Sequence, residues 1–500
     1  MIRKRNIIVS LSTIFFMALI FVAFNSKSTS PLFGYRYIDS DIFRYMGYSL
    51  LQGKIPYTDL FDHKGILLYW INALGYCLHS EFGIFVLQVI HLAATLFVWY
   101  RILDNQKREW NKYLILVISL IGLSAFYEEG NLAEEWSLFF ISMPFLLWLD
   151  TIKNKTSIFS RKDMIIIGLC LGALFLLRMN NMIPVIMILL YCLAEALWGK
   201  KYLYVKDAII FISTGFIILP LIACIYMFIN NGEKGIIDMF YAMIGFNLDY
   251  AKDSGLGYHV FINNFWFMTI SLIPVLSLLP YFKNSAHVVT PIILSFFLTA
   301  FTIGGGALPH YFITLIPFLP ICLTYPSHNR VKLSTATCVV IISTSVILGS
   351  HFTYLKMFPK ERLHESFLKA IEPIPKTKRN EIWNWGGANL TRDFIKAKIV
   401  QQNRMILSFQ LGISDKLYNE EKNKIQSVKP EYVIYAIYSD QSDNNVQKYS
   451  KRNNFKESDS DYQFLVNNYD LISSVKREDE SMLYCYRLKS NDDTTQTDNN

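Results

Sequence analysis

The chain has 500 residues, of which 52% are hydrophobic and only 18% charged, and its mean hydropathy is +0.27. Ordinary soluble domains contain about 45–50% apolar and about 25% charged residues, so this composition, with its long apolar runs, predicts an integral membrane protein. The formal net charge of +8 does not indicate a nucleic-acid-binding protein, because most Lys and Arg residues lie in short loops between apolar runs.

Residues 1–24 combine a basic start, MIRKR, with a long apolar stretch. A cleaved signal peptide has the same charge order, but its apolar core has roughly 7–15 residues and is followed by a small-residue cleavage site. The core here is longer and no such site is evident. We therefore favour an uncleaved first membrane helix, with its N-terminus in the cytoplasm, over a signal peptide.

Ten further apolar segments predict membrane spans, which makes eleven with the first. They lie near residues 83–102, 113–126, 136–150, 164–177, 182–198, 207–229, 263–282, 288–303, 310–325 and 333–350. A free-standing span needs about 20 apolar residues. The segments at 113–126 and 136–150 fall short of this length, so they are expected to cross tilted or inside the bundle, or to form a re-entrant hairpin.

The basic residues set the predicted orientation. Lys and Arg concentrate in the segments that a cytoplasmic N-terminus places inside, and they are scarce in the four shorter outer loops. An odd number of spans then places the residues after 350 on the outer face. The prediction is a multi-pass protein of the cytoplasmic (plasma) membrane.

The first outer segment, residues 25–82, is long enough to hold structure of its own. Large apolar residues recur every four positions from Ile42 to Leu50, after a candidate N-cap at Asp39 or Ser40. This pattern predicts a short amphipathic helix lying at the membrane surface.

Three further outer features follow from composition. Residues 53–57, GKIPY, predict a turn. The apolar stretch 66–78 is too short to span easily and predicts a second interfacial helix. Residues 230–262, rich in Gly, Asn and aromatic residues, predict another outer loop.

After residue 350 the composition changes. Residues 431–438 and 481–488 predict strands, and residues 414–428 predict a helix. Trp383 and Trp385 are expected to pack in a protein core rather than to stack on a sugar. The predicted architecture is an α-helical transmembrane domain, a small extracytoplasmic α/β domain and a disordered tail, with boundaries at 1–350, 351–489 and 490–500.

The sequence offers no internal repeat that would indicate a duplicated transporter fold. The seven cysteines lie mostly in apolar runs and contain no CxxC pair. We therefore expect neither a disulfide framework nor a cysteine metal site.

Ionisable residues close to a bilayer are costly unless they have partners or a function, and four groups of them fall on the predicted outer side. They are Asp39 with Asp41; Asp59, Asp62, His63 and Lys64; Glu128, Glu129, Asn131, Glu134 and Glu135; and Arg178 with His310 and Tyr311. Carboxylates suit a general base or a metal site. Lys, Arg and His suit a phosphate group.

Each group also has a structural explanation that the sequence leaves open. Asp39 and Asp62 are candidate helix N-caps, and Asp41 is favoured as a solvated residue of a first helical turn. Lys64 suits lipid headgroups. Two of the four glutamates are expected to be solvated loop residues only, and His310 fits a packed or a ligand-facing position equally well.

Two stretches resemble the polytopic glycosyltransferases of the GT-C superfamily. They are YIDSDIFRYMGYSLLQGKIPYTDLFDHKG at 37–65 and EEGNLAEEWSL at 128–138, and LLRMNN at 176–181 and PHYFITLIP at 309–317 are similar to further family segments. The chain looks most like bacterial members of the group that contains protein O-mannosyltransferases and aminoarabinose transferases, a glycosyltransferase family 39-like set. The resemblance covers roughly the N-terminal 200 residues, and the C-terminal domain matches only in placement.

The resemblance implies a GT-C-like fold, a polyprenyl-phosphate sugar donor, an acidic residue of the first outer loop as general base, and inversion at the anomeric carbon. Asp39 matches the position of that acid. Many relatives have two adjacent acids there, whereas Ser40 separates Asp39 from Asp41 in this chain. Relatives differ in metal dependence, so a divalent metal stays open, and no other cofactor is expected.

Roles for the remaining polar residues follow from that implied chemistry. Cations and hydrogen-bond donors are expected to bind the donor phosphate, namely His63, Lys64, Arg178, His310 and Tyr311. Acids and amides are expected to support the base or to hold a sugar, namely Asp41, Asp59, Asp62, Glu134, Glu135 and Asn131. The expected partners are a polyprenyl-phosphate-linked hexose or pentose, the bilayer, and a glycan, lipid or protein acceptor of the cell envelope, with no nucleic acid.

Three other functions fit a membrane protein of this kind. One is a polymerase or ligase that moves a whole glycan from a lipid carrier. Another is a transporter or flippase of lipid-linked sugar, which should carry its polar residues at midmembrane depth, whereas the acids here cluster at one face. The last is a sensor with a passive membrane domain.

Overall fold

A computed structural model describes residues 2–33, 38–103, 109–127, 130–154, 159–249, 282–302, 309–324, 362–385, 389–406, 415–437, 460–477 and 482–490. The described residues group into two compact units. The first unit is drawn from Met1–Ser40, Lys64–Ile229 and Ser254–Pro359, and the second from Asp41–His63, Asn230–Asp253 and Lys360–Asn500. The predicted boundary at 350/351 and nearly all of the predicted tail lie outside the described residues.

The N-terminal two-thirds of the chain is helical. Its helices are α1 (Ile2–Asn25), α2 (Ile38–Leu51), α3 (Ile66–Leu78), α4 (Gly83–Ile102), α5 (Glu109–Ser124), α6 (Ala133–Lys153), α7 (Arg161–Leu177), α8 (Ile183–Trp198), α9 (Tyr202–Phe240), α10 (Phe282–Thr302) and α11 (Phe318–Thr324). Short 3₁₀ helices lie at Met179–Met182 and Pro309–Leu315, and a π-helical turn lies at Tyr241–Gly245.

Five helical segments of the described chain are long and apolar enough to cross a membrane: Ile8–Asn25, Gly83–Ile102, Ala133–Lys153, Met179–Trp198 and Tyr202–Asp249. Shorter apolar helices occupy Ile66–Leu78, Asn111–Ser124 and Val288–Thr299. The protein is therefore a multi-pass membrane protein. The predicted spans at 263–282 and 333–350 fall outside the described residues, apart from Phe282.

The segment predicted at 136–150 is longer than expected. Helix α6 begins at Ala133, with Glu134 and Glu135 in its first turn, and ends at Lys153, so it has 21 residues. Acids at the start and a base at the end of a helix both interact favourably with its dipole. The helix is therefore longer than its apolar run, because charged residues extend it at both ends.

The structure differs from the sequence prediction at two points of the chain path. Residues 310–325 are not one continuous helix: a 3₁₀ helix ends at Leu315 and α11 begins at Phe318, because Pro317 lacks the N–H that a continuous helix needs. Residues 230–249 are not a loop, since helix resumes directly after Asn231 and Gly232 leave the helical conformation.

A large aromatic core holds the first unit together. The side chains of Trp99, Phe126, Phe145 and Trp148 are each at most 2% exposed and belong to one cluster. The Trp99 Nε1–H donates to Ser142 Oγ at 2.8 Å, which satisfies the indole in an apolar surrounding. This packing fixes α4 against α6, the helix that carries the conspicuous glutamates.

The second unit contains a four-stranded mixed sheet. Its strands are β1 (Ile382–Asn384), β2 (Tyr432–Ile437), β3 (Tyr469–Lys476) and β4 (Met482–Leu488), in the order β1-β2-β4-β3. Strands β1 and β2 pair in parallel, and β4 pairs antiparallel with β2 and with β3. The accompanying helices are α12 (Arg362–Ala370), α13 (Thr391–Ala397), α14 (Asp415–Val428) and α15 (Ser460–Asn468).

The two strands and the helix predicted in this part of the chain are confirmed as β2, β4 and α14. Trp383 and Trp385 are 2% and 6% exposed, in one cluster with Val433 and Tyr435. The prediction that both tryptophans pack in a core is confirmed.

Candidate active site

The first turn of α6 carries a buried carboxylate, Glu134, which is 2% exposed. Its Oε1 accepts a charge-assisted hydrogen bond from Nη1 of Arg178. The guanidinium lies 3.9 Å from the centroid of the Tyr311 ring, and the His310 ring packs edge-on against Tyr311 with centroids 4.5 Å apart. Lys64 and His310 lie close enough to Glu134 to interact with it electrostatically. These five residues form what we call the Glu134 cluster.

Arg178 reaches this cluster from a break in the helical path. It is the extended residue between α7 and the 3₁₀ helix Met179–Met182, with φ of −163°. Asn181 of that 3₁₀ helix donates to Ser137 Oγ of α6 at 2.7 Å. The break is therefore fixed to the same helix that carries Glu134.

Lys64 is placed by its neighbour Gly65. The Gly65 N–H donates to the carbonyl of Leu177 at 3.1 Å, and a Cβ at position 65 would lie only 1.9 Å from the carbonyl oxygen of Leu176. Only glycine permits this approach. Because Leu177 directly precedes Arg178, the contact brings Lys64 to the end of α7 from which Arg178 extends, which explains a glycine after the lysine in DHKG.

The GNL motif forms a left-handed turn at the start of α6. Gly130 has φ of +89° and Asn131 has φ of +63°; glycine takes this region at no steric cost, and Asn is among the few other residues that visit it routinely. A Cβ at position 130 would lie 1.9 Å from Ser26 Oγ. The two residue types therefore follow from the backbone of the turn.

Asn131 is a completely buried hydrogen-bond hub. Its Nδ2 donates to Asn72 Oδ1 at 2.9 Å and to Ser40 Oγ at 3.3 Å, and its Oδ1 accepts from Trp136 Nε1 at 3.0 Å. Its backbone N–H donates to Glu135 Oε2 at 3.0 Å. Asn131 thus joins α2, α3 and α6 at one point.

Asp39 lies beside this hub. Ser40 accepts from Ser28 Oγ at 2.9 Å as well as from Asn131, and Asp39 is its chain neighbour, half-buried in the first turn of α2. The helix begins at Ile38, so the expectation that Asp39 or Ser40 is its N-cap is wrong. Asp39 is instead held next to the turn that leads into Glu134.

Glu135 links the Asn131 hub to further buried polar residues. It is 4% exposed, and its Oε2 accepts from Gln88 Nε2 at 3.2 Å in addition to the Asn131 N–H. His91 Nε2 lies 3.1 Å from its backbone oxygen. Neither Glu134 nor Glu135 is a solvated loop residue, and Glu128 and Glu129 lie outside the described residues.

Helix α2 is buried on nearly all sides, so the prediction of an amphipathic surface helix is wrong. Asp41, expected to be solvated, is 2% exposed. Tyr45 shows what covers the helix: its hydroxyl accepts from the Gln401 N–H at 2.8 Å, and its ring lies 5.8 Å from that of Phe394. The sequence could not reveal this, because the covering residues are more than 300 positions away.

The remaining predicted site residues belong to the second unit. Asp59 closes a turn, since its Oδ2 accepts from the Ile55 N–H at 2.8 Å. Asp62 is 2% exposed and lies 3.4 Å from Nδ1 of His63. The N-cap of α3 is Gly65, so the expectation that Asp62 caps this helix is wrong.

Sequence reasoning missed the buried hydrogen bonds of Ser40 and Asn72 with Asn131, and that of Gln88 with Glu135. Asn72 is 0% exposed and Gln88 is 4% exposed, and each stands inside an otherwise apolar helix. A polar amide in such a position is costly unless it is hydrogen-bonded. A single amide residue inside an apolar helix was therefore a feature of the sequence that could have indicated these buried hydrogen bonds.

In the part of the chain that the structure describes, no three His, Cys, Asp or Glu side chains gather into a group that could hold a metal ion. The six cysteines described there are free thiols. Metal dependence therefore stays open.

Comparison with known proteins found no matching family model and no matching curated protein. Among solved structures, the chain is similar to ArnT from Cupriavidus metallidurans bound to undecaprenyl phosphate. The TM-score is 0.52 and the identity 11%, over 96% of this chain and 98% of that one. An oligosaccharyltransferase from Archaeoglobus fulgidus, solved with zinc and sulfate, gives a TM-score of 0.48 at 11% identity, over 84% of this chain and 67% of that one.

At 11% identity the similarity to ArnT shows a shared fold, and it extends over nearly the whole length of both chains. The chain therefore has the fold of ArnT, which is the GT-C fold.

Proposed function

We propose that the protein is an inverting glycosyltransferase that moves a sugar from a polyprenyl-phosphate donor to an acceptor hydroxyl on the outer face of the cytoplasmic membrane. The observation that carries the proposal is the Glu134 cluster. Lys64, Arg178 and His310, far apart in the sequence, converge on one carboxylate next to apolar helices. Cations at such a position suit a phosphate whose lipid tail lies in the bilayer.

Arg178 is the best-prepared phosphate ligand of the cluster. Its guanidinium stacks on Tyr311 and is held by Glu134, so little conformational freedom is left to lose on binding. About a fifth of its side chain, 19%, remains exposed. Lys64 adds positive charge near the same carboxylate, which stabilises the phosphate as it leaves, and His310 brings ring nitrogens beside Tyr311.

In the proposed reaction Asp39 is the general base. The acceptor oxygen attacks the anomeric carbon and forms the new glycosidic bond. The bond from that carbon to the phosphate oxygen breaks, and the electron pair leaves with the polyprenyl phosphate. The acceptor proton passes to the Asp39 carboxylate. Attack opposite the leaving phosphate inverts the anomeric configuration.

Binding of undecaprenyl phosphate to the detergent-solubilised protein tests the phosphate site. Lys64→Ala and Arg178→Ala should each weaken the affinity about 10–100-fold, since hydrogen bonds to charged groups contribute about 1.5–3 kcal/mol. The matched control is Arg161→Ala, which removes an exposed arginine paired with Asp207 and should leave the affinity unchanged. Equal affinity of all three variants and the wild type would place the phosphate site elsewhere.

Envelope analysis tests the reaction itself. Mass spectrometry of envelope glycans from cells with and without the gene should show the loss of a single sugar residue. Loss of a whole oligosaccharide would instead favour a polymerase or ligase. An accumulation of lipid-linked sugar on the inner leaflet would favour a flippase.

A further inference from the structure

A loop of the second unit, residues 55–63, ends at His63 and leads directly into Lys64. We call it the 55–63 loop. Tyr57 in this loop has φ of +66° and is 0% exposed. A buried aromatic residue in the left-handed region is strained and persists only where the surroundings fix it. The contacts that fix this loop come from a distant part of the chain.

Arg404 supplies several of those contacts. Its Nε donates to the carbonyl of Tyr57 at 2.7 Å, and its own carbonyl accepts from the Phe61 N–H at 2.7 Å. Its guanidinium lies 5.3 Å from the centroid of the Phe61 ring. The same guanidinium pairs with Asp238 at 3.8 Å and with Glu420 at 3.4 Å. The Arg404 side chain therefore contacts the loop at Tyr57 and Phe61 and is itself held by two carboxylates.

The segment around Arg404 is a rigid support. Asn403 and Asn384 of β1 exchange two hydrogen bonds of 2.8 Å, one from each residue to the other. Gln401 Nε2 donates to the carbonyl of Met405 at 2.7 Å. Gln401, Asn403 and Asn384 are each at most 5% exposed, so the segment is buried and hydrogen-bonded to β1.

The opposite side of the loop is also held. Thr58 Oγ1 donates to Asp238 Oδ2 at 3.0 Å and accepts from Asn231 Nδ2 at 3.1 Å. The carbonyl of His63 accepts from Asn247 Nδ2 at 3.0 Å. Asp238 thus contacts both Arg404 and Thr58, and the loop is clamped between the sheet support and the helical residues after the break at 231.

We propose that Arg404 is a positioning residue of the transfer reaction, which fixes the 55–63 loop and through it the Lys64 ammonium for the donor phosphate. The inference rests on the proposed function, because it gives Lys64 a phosphate to bind. It assigns the C-terminal part of the chain a role in donor binding, although Arg404 itself touches no substrate. A displacement of about 1 Å in a positioning group can cost about 10²-fold in rate.

A double-mutant cycle separates this role from simple stabilisation. Arg404→Ala should weaken undecaprenyl phosphate binding about tenfold. In a Lys64→Ala background the same change should weaken it less than twofold, because the group that Arg404 positions is already gone. Arg404→Lys should restore part of the affinity. The control Arg487→Ala, an exposed arginine on β4 of the same sheet, should change nothing.

Unchanged affinity in Arg404→Ala, or losses that multiply in the double variant, would overturn the proposal. Amide hydrogen exchange is a second test of the proposal, and it needs no donor. It is measured on Arg404→Ala, or on Arg404→Lys if the alanine variant does not fold. Amides at 57–63 should exchange at least tenfold faster than in the wild type, while those of β2 stay protected. Unchanged exchange at 57–63 overturns the clamp. A wild type that does not bind undecaprenyl phosphate refutes the proposed function instead, and the exchange arm still decides whether Arg404 fixes the loop.

Discussion

The left-handed turn before α6 allows a prediction worked from geometry. In Gly130→Ala the new Cβ would meet Ser26 Oγ at 1.9 Å, Ser26 Cβ at 2.7 Å and Ser26 Cα at 2.8 Å, at a backbone φ of +89°. The backbone term alone is about 1–2 kcal/mol. Overpacking in a filled core adds about 1–3 kcal/mol. We expect Gly130→Ala to lower the free energy of unfolding by about 2–5 kcal/mol.

Gly53→Ala is the matched control. Gly53 has nearly the same φ, +85°, and an added Cβ there would have no atom within 4 Å. It should therefore cost only the backbone term, about 1 kcal/mol after the gain from a less flexible unfolded chain. The difference between the two variants isolates the contact with Ser26.

Ser26→Gly in the Gly130→Ala background should recover about 1 kcal/mol, because it removes the two nearest side-chain atoms. The recovery is partial, since Ser26 Cα stays within 3 Å and its hydroxyl bond to Gln88 is lost. Denaturant titration in mixed micelles measures all four proteins. If Gly130→Ala lies within about 0.5 kcal/mol of Gly53→Ala, or Ser26→Gly rescues nothing, the steric account of the turn is refuted.

Two further predictions concern the C-terminal part of the chain. Burial raises the pKa of Glu421 to about 7, so the folded state binds the extra proton between about pH 4.5 and 7. The free energy of unfolding should fall by about 3 kcal/mol as the pH rises through that window. Denaturant titrations at pH 5 and pH 8 should show a smaller fall in Glu421→Gln than in the wild type. An equal fall in both proteins would contradict the assignment. The C-terminal part of the chain is predicted to lie outside the cell. In a Cys77→Ser background, Asn423→Cys should react with an impermeant thiol reagent on intact cells, and Asn154→Cys should react only after lysis. The reverse pattern would contradict the outside placement. Cys485 can stay, because burial raises the pKa of its thiol to about 12.

The sequence predicted those elements whose apolar pattern was uninterrupted. The 66–78 helix is confirmed as α3 with the same bounds, and β2 and β4 lie within one residue of the predicted strands at nearly every end. Strand β1 has only three residues, too few to show an alternation. Strand β3 carries polar residues at its register shift between Leu471 and Ser473, which obscures its period.

The helix after residue 231 was missed for a different reason. Asn231 and Gly232 are typical of a turn, and they do leave the helical conformation. A buried stripe with helical spacing nevertheless continues through Met239, Met243 and Phe246, and this spacing was available in the sequence. The turn residues thus mark a break within the helical path, and the helical period continues beyond them.

The site was predictable as residue types and not as contacts. Cations and hydrogen-bond donors suit a phosphate, which predicts Lys64, Arg178, His310 and Tyr311 as its ligands. The four residues share one cluster in the structure. Their meeting depends on long-range packing, such as the approach of position 65 to the end of α7. Arg404 lay outside every motif, since a clamp made through backbone oxygens leaves no pattern in the sequence.

The central claim is that Asp39 is the general base, and restoration of the envelope glycan by Asp39→Asn in cells lacking the gene tests it most directly. Asn keeps the size of the side chain, and the loss of an acid near a helix N-terminus costs only about 0.3–1 kcal/mol. The variant should therefore reach normal membrane levels. Loss of a general base should lower transfer about 10²–10⁴-fold, while Asp41→Asn retains substantial activity. Near wild-type transfer by Asp39→Asn, or loss of transfer in Asp41→Asn alone, would contradict the account.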